Sequence, residues 1–313
     1  MSNKASERIG AKNLNNKGLE MTVVKYNNAN DLIVEFNDGY ITHCAWKEFK
    51  NGAVLYRPYR IGMINKNSEG FNMKIVLCNN SNDIYVEFQD EHKSVVHCSW
   101  KAFKSGGVKN PYAKSVYGVG SVGVKYPSWV DGKHTKEYKA WIRMLERCYG
   151  ENQLRDNPWY VGCSVCEEWL IFENFYDWIH SQENFDRWSK NKFWAIDKDI
   201  INKGNKIYSS NTCCLVPPNI NSLFIKDDAS RGKFYIGVSY DRQANMYFAQ
   251  CSNPITNKNI HLGFYDNQED AFYAYKNYKE KLIKEIAKKE YDNGNITKKC
   301  YDAMIDYQVE ITD

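Results

Sequence analysis

No run of about 18 apolar residues occurs anywhere in the chain, so nothing in it reads as a transmembrane helix. The opening segment from Met1 to Gly18 lacks the apolar core of a secretory signal. Together these absences set the expectation of a cytoplasmic protein with no membrane partner. One-sided charge is missing too: 42 Lys and Arg against 38 Asp and Glu leave a net +4. That is well short of the balance of a dedicated nucleic-acid binder, so a nucleic-acid partner has to be argued from where basic and aromatic residues lie. A glycine-rich phosphate cradle is also lacking. Gly118, Gly120 and Gly123 have a suggestive spacing, but they fall in a connector without the strand and helix such a loop requires.

What is present is 313 residues, more than one ordinary core fills, with an aromatic share of 15% that supplies the surface for real cores. The 10 cysteines would stay reduced in a cytoplasm, where such residues bind metal or fill cores more often than they pair.

The first third repeats itself. Gly18 to Tyr59 matches Gly70 to Tyr112: Met21, Asn27, Asn28 and Asp31 recur as Met73, Asn79, Asn80 and Asp83. Further on, His43, Cys44, Trp46, Lys47 and Phe49 recur as His97, Cys98, Trp100, Lys101 and Phe103. Short alternating runs between Asn and Gly punctuation predict two tandem small β-barrels, over 18–62 and 68–114, resembling Tudor or chromo-like modules. Each copy offers only a His-Cys pair, short of the four ligands of a closed zinc site, so packing is the expected role. Trp46 and Trp100 either stack on a nucleic acid or peptide or plug the barrels. Residues 113–136 read as a connector.

From Lys136 the period becomes helical, with Tyr138, Trp141, Ile142, Leu145 and Tyr149 on one face and Gly150 as the stop. Cys163-x-x-Cys166 follows, then a second aromatic helix through Phe172, Phe175 and Trp178, and a strand carrying Asp197 and Asp199. The segment closes on Cys213, Cys214 and a helix from Pro218 through Asn219 and Asn221. Cys148, Cys163, Cys166 and Cys213 form either a structural zinc site or a set of buried free thiols, with Cys214 able to replace Cys213. Asp197 and Asp199, alternate on one strand, can act as chemical groups or simply pair with Lys198, Lys203 or Lys206. Trp159, Trp169, Trp178, Trp188 and Trp194 are expected in the core. Beyond residue 231, three strands and a helix from about Gln268 to Lys289 predict a sheet packed on one helix through Ala271, Tyr275 and Leu282. A short helical tail spans 291–313.

Two resemblances attach function to these blocks. Residues 136–226, through Trp141 to Tyr149, Gly162 to Trp169, Ile196 to Ile200 and Gly204 to Pro217, resemble phage-encoded HNH, or His-Me finger, endonucleases. The resemblance implies a ββα unit holding one Mg or Mn ion, with Asp197 as metal-binding acid, Asn211 in the loop and Asn219 or Asn221 on the helix. The place of the family's general-base histidine holds Lys198 or Asp199, so a carboxylate would have to serve as base. Residues 231–290, through Tyr235 to Asp241, Tyr247 to Gln250 and His261 to Tyr275, resemble the APETALA2-type DNA-binding domain. That family lays its three-stranded sheet in the DNA major groove, which implies contacts from Lys233, Tyr240, Arg242, Tyr247, Gln250, Lys258 and His261.

The overall expectation is an α+β multidomain chain: tandem barrels, a cysteine-containing HNH-like unit with flanking helices, and a C-terminal sheet with its helix. Its expected function is that of a phage or mobile-element DNA-binding protein, a metal-dependent DNA endonuclease. The alternative is a catalytically inactive nuclease fold acting as a phage regulator or as an anti-CRISPR-like inhibitor of a host defence complex. The missing histidine keeps both readings open.

Overall fold

The computed structural model describes residues 7–56, 60–224, 234–311 and 313. The chain divides into two compact units, Met1–Ala113 and Lys114–Asp313.

In the first unit, β1 (Lys12–Leu14), β2 (Glu20–Asn28), β3 (Asp31–Phe36) and β4 (Ile41–Cys44) precede a short helix α1 (Trp46–Lys50). The second copy follows as β5 (Ile64–Lys66), β6 (Asn72–Asn80), β7 (Asp83–Phe88), β8 (Val95–Cys98) and α2 (Trp100–Ser105). Each set is an antiparallel meander in chain order. Alternation decides its buried face: Leu32, Val34 and Phe36 point inward from β3 as Ile84, Val86 and Phe88 do from β7. Irregular register recurs at matching points, between Val23 and Lys25 and between Ile75 and Leu77.

The sheets are open, and no closed barrel is found among the described residues. Four strands, of which the outer two have three or four residues, are too few to close on themselves. Instead Phe49 of α1 and Phe103 of α2 enter the respective cores. Each copy also begins further upstream than the sequence match suggested. Arg8-Ile9-Gly10 corresponds to Arg60-Ile61-Gly62, and Asn13 and Asn65 donate alike to the carbonyls of Phe49 and Phe103, both at 2.6 Å. The half-buried Trp46 stacks on Phe49 and carries the Arg8 guanidinium 4.3 Å from its ring; Trp100 stacks on Phe103 under Arg60 at 4.2 Å. In both copies the tryptophan face is thus covered from within the chain. The copies touch where Tyr40 and Thr42 donate to the carbonyls of Cys78 and Asn79, both at 2.9 Å.

The second unit opens with the small hairpin β9 (Trp129–Val130) and β10 (Lys133–His134). Helices α3 (Lys136–Tyr149) and α4 (Glu151–Asp156), strand β11 (Ser164–Val165), then α5 (Phe172–His180) and α6 (Phe185–Lys190) follow. Thr135 caps α3 by accepting from the Tyr138 N–H. Trp141, Trp169 and Trp188 are buried in this core, with Trp178 and Trp194 packed against it, but Trp159 is 64% exposed on a 3-10 turn.

Next come β12 (Ala195–Asp197), β13 (Ile207–Tyr208), β14 (Cys214–Val216) and α7 (Pro218–Asn221). β12 pairs antiparallel with β14, and β11 pairs parallel with β13. The antiparallel sheet β15 (Val238–Asp241), β16 (Met246–Asn253) and β17 (Lys258–Tyr265) lies on α8 (Gln268–Asp292), with α9 (Lys298–Ile305) after it. The order 3 strands, long helix, short helix is as expected from the sequence. The separateness of the segments is not: Cys214, Val216, Ile220 and Leu223 share one core with Val238, Ala249, Ile283 and Met304. At Gly237, φ is +74° and a Cβ would fall 2.1 Å from the Tyr275 ring, so only glycine lets the sheet approach α8 so closely.

Candidate functional site

The acidic turn after β12 is built by its own backbone. Strand β12 ends at Asp197, whose Oδ1 accepts from the N–H groups of Asp199 at 2.7 Å and Ile200 at 2.9 Å. Asp199 therefore sits in the turn and not two residues along a strand from Asp197. Burial pushes the Asp197 carboxyl above the ordinary aspartate range, more than the two backbone donors pull it down. Lys198, 8% exposed, donates to Asp199 Oδ1 at 2.6 Å and to the Asn205 carbonyl at 3.0 Å.

The two asparagines are committed elsewhere. Asn211 is exposed, and its carbonyl accepts from Lys299 Nζ at 2.6 Å. Asn219, on α7, donates to Oε1 of the buried Glu290 on α8 at 2.8 Å. His180 Nε2 lies 3.3 Å from Glu137 Oε1, and its ring packs against those of Tyr176 and Phe185. The ion implied by the HNH resemblance needs a converging donor set. Among the described residues no group of three or more His, Cys, Asp or Glu side chains is arranged to hold a metal.

Cys148, Cys163, Cys166 and Cys213 do meet in one core. Cys148 lies within electrostatic reach of Cys163, and Cys213 within reach of Cys166. Burial pushes Cys148 and Cys213 each up to about 12, which keeps them as neutral thiols in the chain as it stands. Cys214 instead faces Cys300 across the shared C-terminal core, on the side of β14 opposite Cys213.

The sheet β15–β17 has two different faces. Val238, Ala249 and Cys251 point to α8, and register places Tyr240 and Tyr247 on that same side. Tyr240 also donates to Asn245 Oδ1 at 2.7 Å. The outer face carries Ser239, Phe248, Gln250, His261 and Phe264, with Phe248 opposite Phe264 and Gln250 opposite His261. His261 lies 4.9 Å from Phe264 and 5.8 Å from Phe248, ring to ring. Arg242 is exposed in the β15–β16 turn and Lys258 is exposed at the start of β17. Lys233 lies outside the described residues.

Of the residues expected to face a ligand, His261, Arg242 and Lys258 are exposed and Gln250 is half-buried on the outer face, whereas the half-buried Tyr240 and Tyr247 belong to the helix-facing side. Phe248 and Phe264 were missed by sequence reasoning. The signal for them was the alternation of Phe248 and Gln250 with the small residues Ala249 and Cys251, which marks opposite faces of one strand.

Among known proteins, no family model, no curated protein and no solved structure matches the chain. Among the described residues no helix is long and apolar enough to cross a membrane.

Proposed function

We propose that the chain is a DNA-binding protein whose contact surface is the outer face of β15–β17. The observation that carries this reading is that face itself: exposed His261 and Phe264 cluster with half-buried Phe248 beside half-buried Gln250 and Ser239, while the opposite face is packed on α8. Amide and aromatic side chains on a sheet can meet base edges and base faces, and Arg242 and Lys258 at its margins can meet phosphates. The resemblance to the APETALA2-type domain points the same way.

The central unit serves, in this proposal, as scaffold. Its acid Asp197 holds a turn and its asparagine Asn219 holds Glu290. The test is binding of duplex and single-stranded oligonucleotides by fluorescence anisotropy over a salt series. A linear fall of log affinity with log salt is expected, because displaced counterions accompany each phosphate contact. Affinity that is absent at low salt would sink the reading.

A second reading, a metal-dependent endonuclease of HNH type, is favoured by one observation: the antiparallel pair β12–β14 leads straight into α7, the ββα order of that family. Nicking of supercoiled DNA in Mg or Mn that disappears in Asp197→Ala would establish it. If neither binding nor cleavage occurs, the search turns to a host defence protein as partner.

A further inference from the structure

Along α8 three of the six lysines are paired, Lys276 with Glu280 at 2.5 Å, Lys281 with Glu285 at 3.9 Å and Lys288 with Asp292 at 3.3 Å, while Lys284 and Lys289 are exposed. Lys279 differs. It lies one turn after Tyr275 on the side of α8 that faces the sheet, half-buried beside the neutral thiol of Cys251, and it has no ion pair or hydrogen bond among the described residues. Burial pushes its ammonium below the ordinary lysine range. A cation partly withdrawn from water, with no carboxylate bonded to it among the described residues, gains from an anion brought to its open side.

A cleft of about 690 Å3 opens on this lysine. It lies where β15 stops short, beyond the bond from the Gln250 N–H to the Gly237 carbonyl at 2.9 Å, so the far half of β16 has no β15 residue beside it. Besides Lys279, its wall carries the neutral polar groups Ser222, Gln250, Ser252, Asn257 and Asn259. No carboxylate lines it among the described residues. One cation ringed by amides and hydroxyls suits an oxyanion with several acceptor oxygens, because each neutral donor satisfies an oxygen that the single charge cannot reach.

We propose that this cleft is an anion site for a phosphoryl group, with Lys279 supplying the charge and the surrounding amides and hydroxyls the neutral donors. Two sources share that chemistry: a phosphate of a nucleic-acid strand lying on the outer sheet face, since Gln250 belongs to both surfaces, or a free mononucleotide or phosphate. The site stands on the cleft and Lys279 alone; only its supply by a strand rests on the DNA-binding reading.

The test uses the full chain and its Lys279→Met and Lys279→Arg variants, followed by thermal unfolding and by 31P NMR of added inorganic phosphate at matched ionic strength. Lys279→Met should be at least as stable as the wild type in chloride, since it deletes a desolvated charge. Phosphate should raise the wild-type midpoint more than the Lys279→Met midpoint, broaden its 31P signal, and bind Lys279→Met roughly tenfold more weakly or worse. Lys279→Arg should keep part of the response. An equal shift in wild type and Lys279→Met, which is what general salt exclusion produces, would overturn the site, as would no shift in either.

The same proteins are then titrated with a 5′-mononucleotide and a single-stranded oligonucleotide. A strand affinity that drops in Lys279→Met assigns the phosphate to the strand; a mononucleotide response with unchanged strand affinity assigns it to a free ligand. A phosphate response without any DNA binding upholds the cleft and sinks the DNA reading. DNA binding that ignores Lys279, with no phosphate response, does the reverse.

Discussion

Asn219 donates its side-chain amide to the buried carboxylate of Glu290 across 71 residues of chain, at 2.8 Å, and the other oxygen of Glu290 accepts from Asn295 at 2.5 Å. This carboxylate joins α7 to the end of α8 and makes one body of the central strands and the C-terminal helices. An asparagine expected at a catalytic position is here a structural tie.

Asn219→Ala should therefore destabilise the second unit by about 1–3 kcal/mol, the range for leaving a buried polar group short of a partner. Asn219→Asp should be worse, because it sets a second carboxylate against Glu290. Urea unfolding measures both. An alanine variant with the wild-type midpoint would remove the structural role.

Asp197 gives a pH signature. Its folded carboxyl titrates above the ordinary aspartate value, so the folded chain holds the proton more tightly than the unfolded chain. The associated stability is complete below the ordinary value and is lost as pH rises through the raised one. Asp197→Asn keeps an oxygen for the N–H groups of Asp199 and Ile200 without the charge. At neutral pH it should be at least as stable as the wild type, with the advantage shrinking as the medium is acidified. Asp197→Ala loses both bonds and should cost about 1–2 kcal/mol in acid, and less at neutral pH, where it also deletes the buried charge. An Asn variant weaker than wild type at neutral pH would contradict this account.

Phe264, 46% exposed on the outer sheet face, should be dispensable for folding and needed for binding. Phe264→Ala is expected to leave the unfolding midpoint near that of the wild type and to weaken oligonucleotide binding by roughly tenfold, the lower part of the range for a lost base stack. Tyr240→Phe, on the other side of the sheet, should leave binding unchanged. Equal losses in the two variants would take the contact surface away from the outer face.

Thiol reactivity reports on the central core. Cys148 and Cys213, each pushed up to about 12, should resist alkylation at pH 8 in the folded chain and react once it is unfolded. Mass spectrometry after iodoacetamide treatment reads the difference. A chelator that lowered the unfolding midpoint and exposed Cys163 and Cys166 to alkylation would instead put zinc among these four cysteines.

Much of the architecture was legible in the residues. The two copies announce themselves by identities such as Met21 with Met73 and Trp46 with Trp100, and α3 by the spacing of Tyr138, Trp141 and Leu145 with its stop at Gly150. These signals are local, because side-chain direction in a strand or helix follows from backbone period and caps act within a turn. That the copies stay open sheets was less legible, since alternation specifies a buried face but not what covers it.

The candidate sites were legible only in part. Residue types marked Asp197, Asn219 and the cysteines as chemically capable, and alternation could have separated Phe248 and Gln250 from Ala249. Sequence alone determined the repeat, the order of strands and helices and the stock of polar groups. Only the tertiary structure decided that Asn219 serves Glu290, that Asp197 closes its own turn, and that Lys279 faces a polar cleft. The physical reason is that a polar group's role is set by its partners, and partners tens of residues away in the chain meet only when the cores they belong to are packed together.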